Sequence, residues 1–541
     1  MNMKKIGLII AFSALVCSAW AVPARRGEIV KTQPDGTQIV VYQHGDEHFH
    51  WMTNEKGEWL KMDVDGFYRV TEALSAEQIE AKRMAAPSRA AQAAAPLNIA
   101  PRGLVILVNF TDVAFETDKA EMDSMLTGKN YTRDYSYFYR GKKQSITSKG
   151  SAWQYFYDSS NGHYDPQFDV IGPVTVSKNM AYYGKNVSDF DAAPWTMVKE
   201  ACQLVDDSVD FKQYDNNNDG YVDFVYVIYA GYGEADGGDK NTIWPHSYWL
   251  LRGAGITCKL DGKYVDLYAC GNEMDSRTNY HTGIGTFCHE FSHVLGLPDL
   301  YETTGYGTYK TIGAWSILDY GPYNNDGNTP PAYSAYEQFF MGWLMPRLIV
   351  DAENVELEEL QASNSALLIS SSDQHNLIGN DPKPTTFYLL ENRQQVGWDE
   401  YLPGHGLMLT KVQYDYNKWT NNTVNNSSNR MGVDLIEADG KKPSSSSNGY
   451  TGKAGDLFPA GATEYLGITN HSIEDVSEQD GIIYFKYRGG IATSTEQVQT
   501  EETIVAIYNI LGQKQAAVDI ESLPHGTYVV VTTAGSKKIV R

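Results

Sequence analysis

The stretch Phe287-Cys288-His289-Glu290-Phe291-Ser292-His293-Val294-Leu295-Gly296-Leu297-Pro298-Asp299 decides how this chain is read. Two histidines four residues apart lie on one face of a helix, about 6 Å from each other, so both imidazoles can reach one zinc ion. Glu290 between them is placed to hold a zinc-activated water and to take its proton as general base. Gly296 can adopt the left-handed conformation that ends a helix, after which Asp299 can return as third ligand. His-Glu-x-x-His arises by chance in about one chain of this length in a hundred; the added Gly and Asp lower that by a further factor of about a few hundred. The alternative third ligand is a glutamate from a second helix, for which Glu337 is the nearest candidate. The helix break at Gly296 favours Asp299.

Working outward, 541 residues suggest three or four folding units. An apolar fraction of 42% and a charged fraction of 21% are those of globular protein and exclude wholesale disorder. Sixty-seven acidic residues against 44 basic give a net charge of −23, opposite in sign to what a phosphate backbone requires, which excludes nucleic acid as a partner. Thirty-seven tyrosines favour β-rich surfaces. Residues 1–21 combine Lys4-Lys5, an apolar run from Ile6 to Val16 and the small residues Ser18, Ala19 and Ala21, the pattern of a cleavable secretory signal. Val16 before Cys17 disfavours a lipid-anchored variant. No other run approaches 18 apolar residues, so no transmembrane segment is expected after the signal is removed.

Cys202, Cys258, Cys270 and Cys288 then remain in an oxidising compartment. Cys258 and Cys270 flank a hairpin turning at Asp261-Gly262 and can pair; Cys202 and Cys288 are a second disulfide or two buried thiols. Cys288 also raises a cysteine-protease reading, but its neighbouring histidines are committed to metal.

The fold class reads as α+β. After the signal, residues 22–100 form a small β-rich segment and tether, with β runs at Gln38–Tyr42, Phe49–Met52, Trp59–Met62 and Phe67–Val70 separated by Asp-Gly and Lys-Gly turns. A polar helix is expected over Ser75–Met84, then an Ala/Pro-rich linker to Pro101. Residues 101–347 carry the zinc motif, with buried strands at Gly103–Phe110 and Phe224–Ala230, a helix-like polar segment leading to Tyr155, and an amphipathic helix at Pro194–Val205. Residues 348–488 are mostly β, with strands at Thr386–Leu390, Gly406–Val412 and Ile482–Tyr487. A linker at 489–502 leads to a short all-β unit at 503–541.

A second oxygen-rich stretch, Asp215 to Asp223, spaces donors at alternate positions around Gly220. A calcium site fed by Asp215, Asn217, Asp219 and Asp223 is one reading, and a polar turn capping the next strand is the other. Tyr226 at the twelfth position excludes a true EF-hand.

The extended zinc motif resembles the metzincin signature. Its aspartate in third place resembles the secreted bacterial metallopeptidases of the immune inhibitor A family. Asp215–Asp223, Ile243-Trp244-Pro245-His246, Glu391-Asn392-Arg393, Leu402-Pro403-Gly404 and Gly455-Asp456-Leu457-Phe458-Pro459 match that family's pattern in order, so the resemblance covers residues 100–487. It implies a secreted zinc endopeptidase made as a zymogen. Leu318 stands where metzincins carry a methionine beneath the metal, a volume-conserving change. Tyr320 matches the tyrosine that in some branches stabilises the oxyanion or swings onto zinc; the other reading is an ordinary tyrosine.

Residues 34–51 resemble propeptides of these enzymes and of streptopain-like proteases. No cysteine lies between residues 22 and 100 to cap the metal. Asp46 or Glu47 could do so, although a solvated loop is the reading preferred for both. Val505–Gln513, Leu523–Tyr528 and Lys537–Val540 are similar to the sorting domain of type IX secretion substrates of Bacteroidetes. That implies outer-membrane secretion machinery as a partner and a secreted or surface-attached product. The rival class is a surface adhesin or glycan-binding protein on a degenerate protease scaffold, favoured only by Leu318.

Overall fold

The computed structural model describes residues 22–46, 49–75, 77–79, 101–187, 190–303, 311–442 and 451–491, and in the tail 504–509, 513–515, 520–524, 526–532 and 535–540. The signal peptide, Glu47, most of the two linkers and most of the Ser75–Met84 helix lie outside the described residues.

A five-stranded antiparallel meander opens the described chain: β1 (Ile29–Thr32), β2 (Gln38–Asp46), β3 (Phe49–Thr53), β4 (Trp59–Met62) and β5 (Tyr68–Val70). Its tight turns use glycines at φ +84° (Gly36), +78° (Gly57) and +83° (Gly66), as the Asp-Gly and Lys-Gly pairs predict.

The next unit is built on a mixed five-stranded sheet of β6 (Arg102–Asn109), β9 (Gln167–Thr175), β10 (Val225–Tyr232), β11 (His246–Trp249) and β12 (Leu267–Met274), in the order β11-β12-β10-β6-β9. All neighbours are parallel except the edge strand β11, which runs antiparallel to β12. The continuous apolar runs of β6 and β10 follow from burial on both faces. Val105, Leu107, Tyr226 and Ile228 enter one core, while Leu104, Ile106, Val108, Val225, Val227 and Tyr229 enter another on the opposite face. The second core is covered by the helix at Pro194–Val205. The first receives α1 (Lys119–Thr127), α2 (Ala152–Ser159) and the zinc-motif helix Gly285–Val294.

Between α1 and α2 the structure departs from expectation. The polar stretch read as helix-like is a long hairpin of β7 (Thr132–Tyr139) and β8 (Lys142–Lys149), turning at Arg140 and Gly141, both with positive φ. It buries few side chains; Tyr135, Tyr137 and Tyr139 recur at every second position of the first strand, a period of two that the polar second strand obscures.

After residue 347 two sheets follow: one of strands 347–348, 367–370, 386–393, 406–413 and 433–435, and one of strands 353–357, 473–479 and 482–487. Leu368, Phe387, Leu389, Met408, Val412 and Leu457 belong to the same core as the zinc-motif helix. At the seam, fully buried Arg393 reaches the carboxylate of Asp399 and the carbonyls of Trp315 and Ala332. The tail forms a separate three-stranded sheet over Ile507, Leu523, Tyr528 and Val530.

Cys202, Cys258, Cys270 and Cys288, the cysteines among the described residues, are free and buried. The hairpin at Asp261-Gly262 is present, but Cys258 lies against Cys202 and Cys270 lies against His246, 3.5 Å from Nδ1. Cys288 faces the opposite core, so neither pairing read from the sequence is brought together. No helix among the described residues is long and apolar enough to cross a membrane.

Candidate metal centre

The helix Gly285–Val294 starts where residues 321–327 pass close by; a Cβ on Gly285 would stand 1.9 Å from the Pro322 carbonyl oxygen, so only glycine fits there. It ends as expected, with Gly296 at φ +96° and its N–H donating to the His293 carbonyl at 2.9 Å. His289 and His293 fall on one face, their rings nearly perpendicular and 4.6 Å apart. The turn after Gly296 brings Asp299 back to them.

His289 Nδ1 lies 2.7 Å from the Ile317 carbonyl and His293 Nδ1 lies 2.8 Å from the Leu297 carbonyl. A carbonyl only accepts, so each Nδ1 carries the proton and each Nε2 presents a lone pair. Those two Nε2 atoms face each other at 3.0 Å, and Asp299 Oδ1 lies 3.3 Å from both. Two lone pairs and a carboxylate oxygen repel at such separations unless a cation sits among them. Tetrahedral zinc with bonds of about 2.0–2.1 Å has ligand–ligand edges of about 3.3–3.4 Å, so the donor set fits zinc. Asp299 Oδ1 is buried and accepts no hydrogen bond, as a metal ligand would be. Among the described residues, this is the one group of three or more His, Cys, Asp or Glu side chains with converging ligand atoms.

Burial and the neighbouring His293 push the His289 pKa down against the pull of Asp299, keeping the imidazole neutral. Glu290 is fully buried, and its Oε1 accepts the backbone N–H of Val22 at 2.9 Å.

Asn422 was not found from the sequence. Its side chain donates to Asp299 Oδ2 at 2.6 Å and accepts the Asp299 backbone N–H at 2.8 Å, fixing the ligand from 123 residues away. Its neighbours in the run Asn421-Asn422-Thr423-Val424-Asn425-Asn426 bind the same loop, Asn425 at Leu300 and Asn426 at Thr303, but nothing in the run's spacing pointed to that loop.

Glu337 is not brought to the metal ligands. Its carboxylate accepts the Ser316 hydroxyl at 2.5 Å and the Ser334 N–H at 2.6 Å in a capping box that starts the helix Ala335–Phe340. Leu318 is fully buried in the core that holds the zinc-motif helix, and its carbonyl accepts the Leu300 N–H at 2.8 Å. Tyr320 lies two residues beyond Leu318, with the Arg26 guanidinium 3.6 Å above its ring centroid; burial raises its pKa.

The four residues Asp215, Asn217, Asp219 and Asp223 share one loop, but Lys263 Nζ sits 2.5 Å from Asp215 Oδ2. Backbone amides of Asp219 and Gly220 donate to Asp215, that of Tyr221 to Asp219 and that of Asn216 to Asp223, with the Asn216 side chain on Asp223 and the Asn217 side chain on Asp219 and Asp223. These bonds form a turn closed by Lys263 on Asp215 ahead of the next strand.

The segment before β1 reaches the metal centre. Val22 is fully buried against Ala24, Ala235 and Trp244. Trp244 Nε1 donates to the Val22 carbonyl at 3.1 Å, and the Tyr323 hydroxyl donates to the Pro23 carbonyl at 2.7 Å. Asp46 is buried at the end of β2 rather than solvated, and it takes no part in the ligand group. The N-terminal unit therefore meets the centre through Val22.

Residues 98–345 match the sequence model of the family described as immune inhibitor A peptidase M6, catalytic domain. The chain is similar to the pre-pro-metalloprotease PrtV of Vibrio cholerae serotype O1, 26% identical over 290 residues that make up 48% of this chain and 31% of the relative. It is also similar to immune inhibitor A of Bacillus thuringiensis subsp. alesti, 27% identical over 269 residues, 44% of this chain and 39% of that one. It spans about a third of the length of these curated relatives. The enzyme class read from the sequence, a zinc metalloendopeptidase, agrees with both comparisons.

Proposed function

We propose that this protein is a secreted zinc-dependent endopeptidase that hydrolyses peptide bonds of extracellular proteins, and that its N-terminal unit holds it latent. The observation that carries the reading is the triangle of two unprotonated Nε2 atoms 3.0 Å apart and Asp299 Oδ1 3.3 Å from both. When bound there, zinc supplies Lewis acidity, activating water and stabilising charge on the carbonyl oxygen of the scissile bond.

The chain's own residues do the rest. His289, His293 and Asp299 hold the ion, while Ile317, Leu297 and Asn422 orient them. Glu290 takes the proton of the attacking water and passes it to the leaving amine nitrogen. Its burial keeps this transfer out of bulk solvent. Val22, with its N–H on Glu290 and its side chain buried beneath Trp244, occupies the place a substrate needs, which supports latency until residues 22–100 are removed. The small tail sheet is compatible with a sorting domain for outer-membrane export, with release or surface attachment afterwards.

The test is casein cleavage by the processed protein and by its Glu290→Ala variant. Loss of at least about a thousandfold supports Glu290 as the base; full zinc-dependent activity in the variant sinks the reading.

A further inference from the structure

Arg25, three residues after the one that touches Glu290, is only 7% exposed and enters a pocket of carboxylates on the other unit. Its Nη1 pairs with Asp275 and its Nη2 lies 2.7 Å from Asp326 Oδ1. We propose that Asp236, Asp275 and Asp326 form a substrate subsite for an arginine or lysine side chain, carried on the fourth residue of the amine side of the scissile bond. Arg25 occupies it as a substrate stand-in. This inference rests on the endopeptidase reading above.

The register follows from Glu290. The nitrogen that meets the proton-delivering carboxylate in the reaction is that of the leaving amine, and here that position is filled by the Val22 nitrogen. Val22 therefore corresponds to the first residue on the amine side, and Arg25 to the fourth. The main chain between them is caught by groups indifferent to sequence: Trp244 Nε1 on the Val22 carbonyl, the Tyr323 hydroxyl on the Pro23 carbonyl, and the Ala235 carbonyl on the Arg25 N–H at 2.9 Å. Any peptide threaded the same way makes the same bonds, so discrimination falls to the side-chain pocket.

The pocket is built for a cation. Asp275 Oδ1 accepts the backbone N–H groups of Arg277 and Thr278 at 2.8 and 3.0 Å, leaving Oδ2 for the guest. Asp326 Oδ2 accepts the Tyr137 hydroxyl at 2.6 Å, leaving Oδ1 for the guest and for Arg277. Asp236 is 8% exposed; Asn272 donates to its Oδ2 at 3.1 Å, while its buried Oδ1 accepts no hydrogen bond. Among the described residues of the pocket's own unit, Arg277 pairs with Asp326 and lies near Asp275, while the cations acting on Asp236 come from the N-terminal unit, so departure of Arg25 leaves buried negative charge that an incoming cation offsets.

The experiment compares matched peptides carrying Arg, Lys or Gln at the fourth amine-side position, cleaved by the processed protein and by its Asp275→Asn and Asp236→Asn variants. The wild type is expected to cleave the Arg and Lys peptides at least about tenfold more efficiently than the Gln peptide, with the ratio falling towards one in the variants. Equal cleavage of Arg and Gln peptides by the wild type, or an unchanged ratio in a folded variant, overturns the subsite. Asp236→Asn is the gentler change, because it replaces an oxygen that accepts no hydrogen bond, and it serves if Asp275→Asn does not fold. Should no peptide be cut, the endopeptidase reading fails on its own. Calorimetry with Val-Pro-Ala-Arg-Arg against Val-Pro-Ala-Gln-Arg still reads the pocket: about tenfold tighter binding of the first supports it, and equal binding overturns it.

Discussion

Asn422→Ala probes how the third ligand is held. The substitution removes a 2.6 Å hydrogen bond to Asp299 Oδ2 and the acceptor of the Asp299 backbone N–H at 2.8 Å. Both partners are buried, so each lost bond leaves a desolvated polar group, costing about 1–3 kcal/mol. Asn422 also sits at φ +53°, where alanine is less at ease than asparagine by about 1 kcal/mol. The part that reaches the metal is the freed rotation of the Asp299 carboxylate; removing such an outer partner typically weakens metal affinity about 10- to 100-fold. The assay is zinc competition against a chromophoric chelator, run beside peptidase activity with and without excess zinc. The expected result is a rightward shift of that size, with activity largely recovered at excess zinc. Asn426→Ala is the control, because that side chain binds Thr303 and not Asp299; it should lower the melting temperature without moving zinc affinity. Unchanged zinc affinity in Asn422→Ala would refute the positioning role.

Two further outcomes are expected. His50 Nε2 lies 3.0 Å from Glu234 Oε1, and its pKa is raised: burial pulls it down, but the Glu234 charge and hydrogen bond outweigh that. A histidine whose docked pKa is raised contributes fully below its undocked value near 6.5, and that contribution fades as pH climbs through the docked value. The unprocessed chain should therefore lose melting temperature between pH 6 and 8 more steeply than His50→Gln; parallel curves would show that the His50–Glu234 pair does not help hold the N-terminal unit. Because Lys263 already neutralises Asp215, millimolar calcium should move the melting temperature by less than about 1 °C. A rise of about 5 °C or more would restore the calcium reading of Asp215–Asp223.

What was legible in the sequence was local. The i, i+4 histidines, the glutamate between them and the glycine that ends their helix are set by helical geometry, and Asp299 followed from the turn that glycine makes. The apolar runs at 103–110 and 224–230 were readable because strands buried on both faces need no alternation. Tertiary partners were not legible. Asn422 acts across 123 residues, and polar side chains that bind loops carry no period. Val22 looked like an ordinary residue past a cleavage site; only its docked position gives it a role at Glu290. The hairpin at 132–149 did carry a period of two in Tyr135, Tyr137 and Tyr139 and a turn signal at Arg140-Gly141, but exposed Phe138 on the other face and the polar second strand blurred it. The cysteine pairing failed for a related reason: Cys258 and Cys270 enter the same core, but Cys258 lies against Cys202 and Cys270 against His246, partners that nearness along a hairpin does not reveal.

The central claim is that His289, His293 and Asp299 hold a zinc ion that makes this protein an endopeptidase. The most direct measurement is proteolysis of casein by the processed protein before chelation, after stripping with a zinc chelator, and after zinc is returned. The account predicts activity that disappears with the chelator and returns with about one zinc per chain. Cleavage that persists in zinc-free protein, or a zinc-loaded processed protein that cuts nothing, would contradict it.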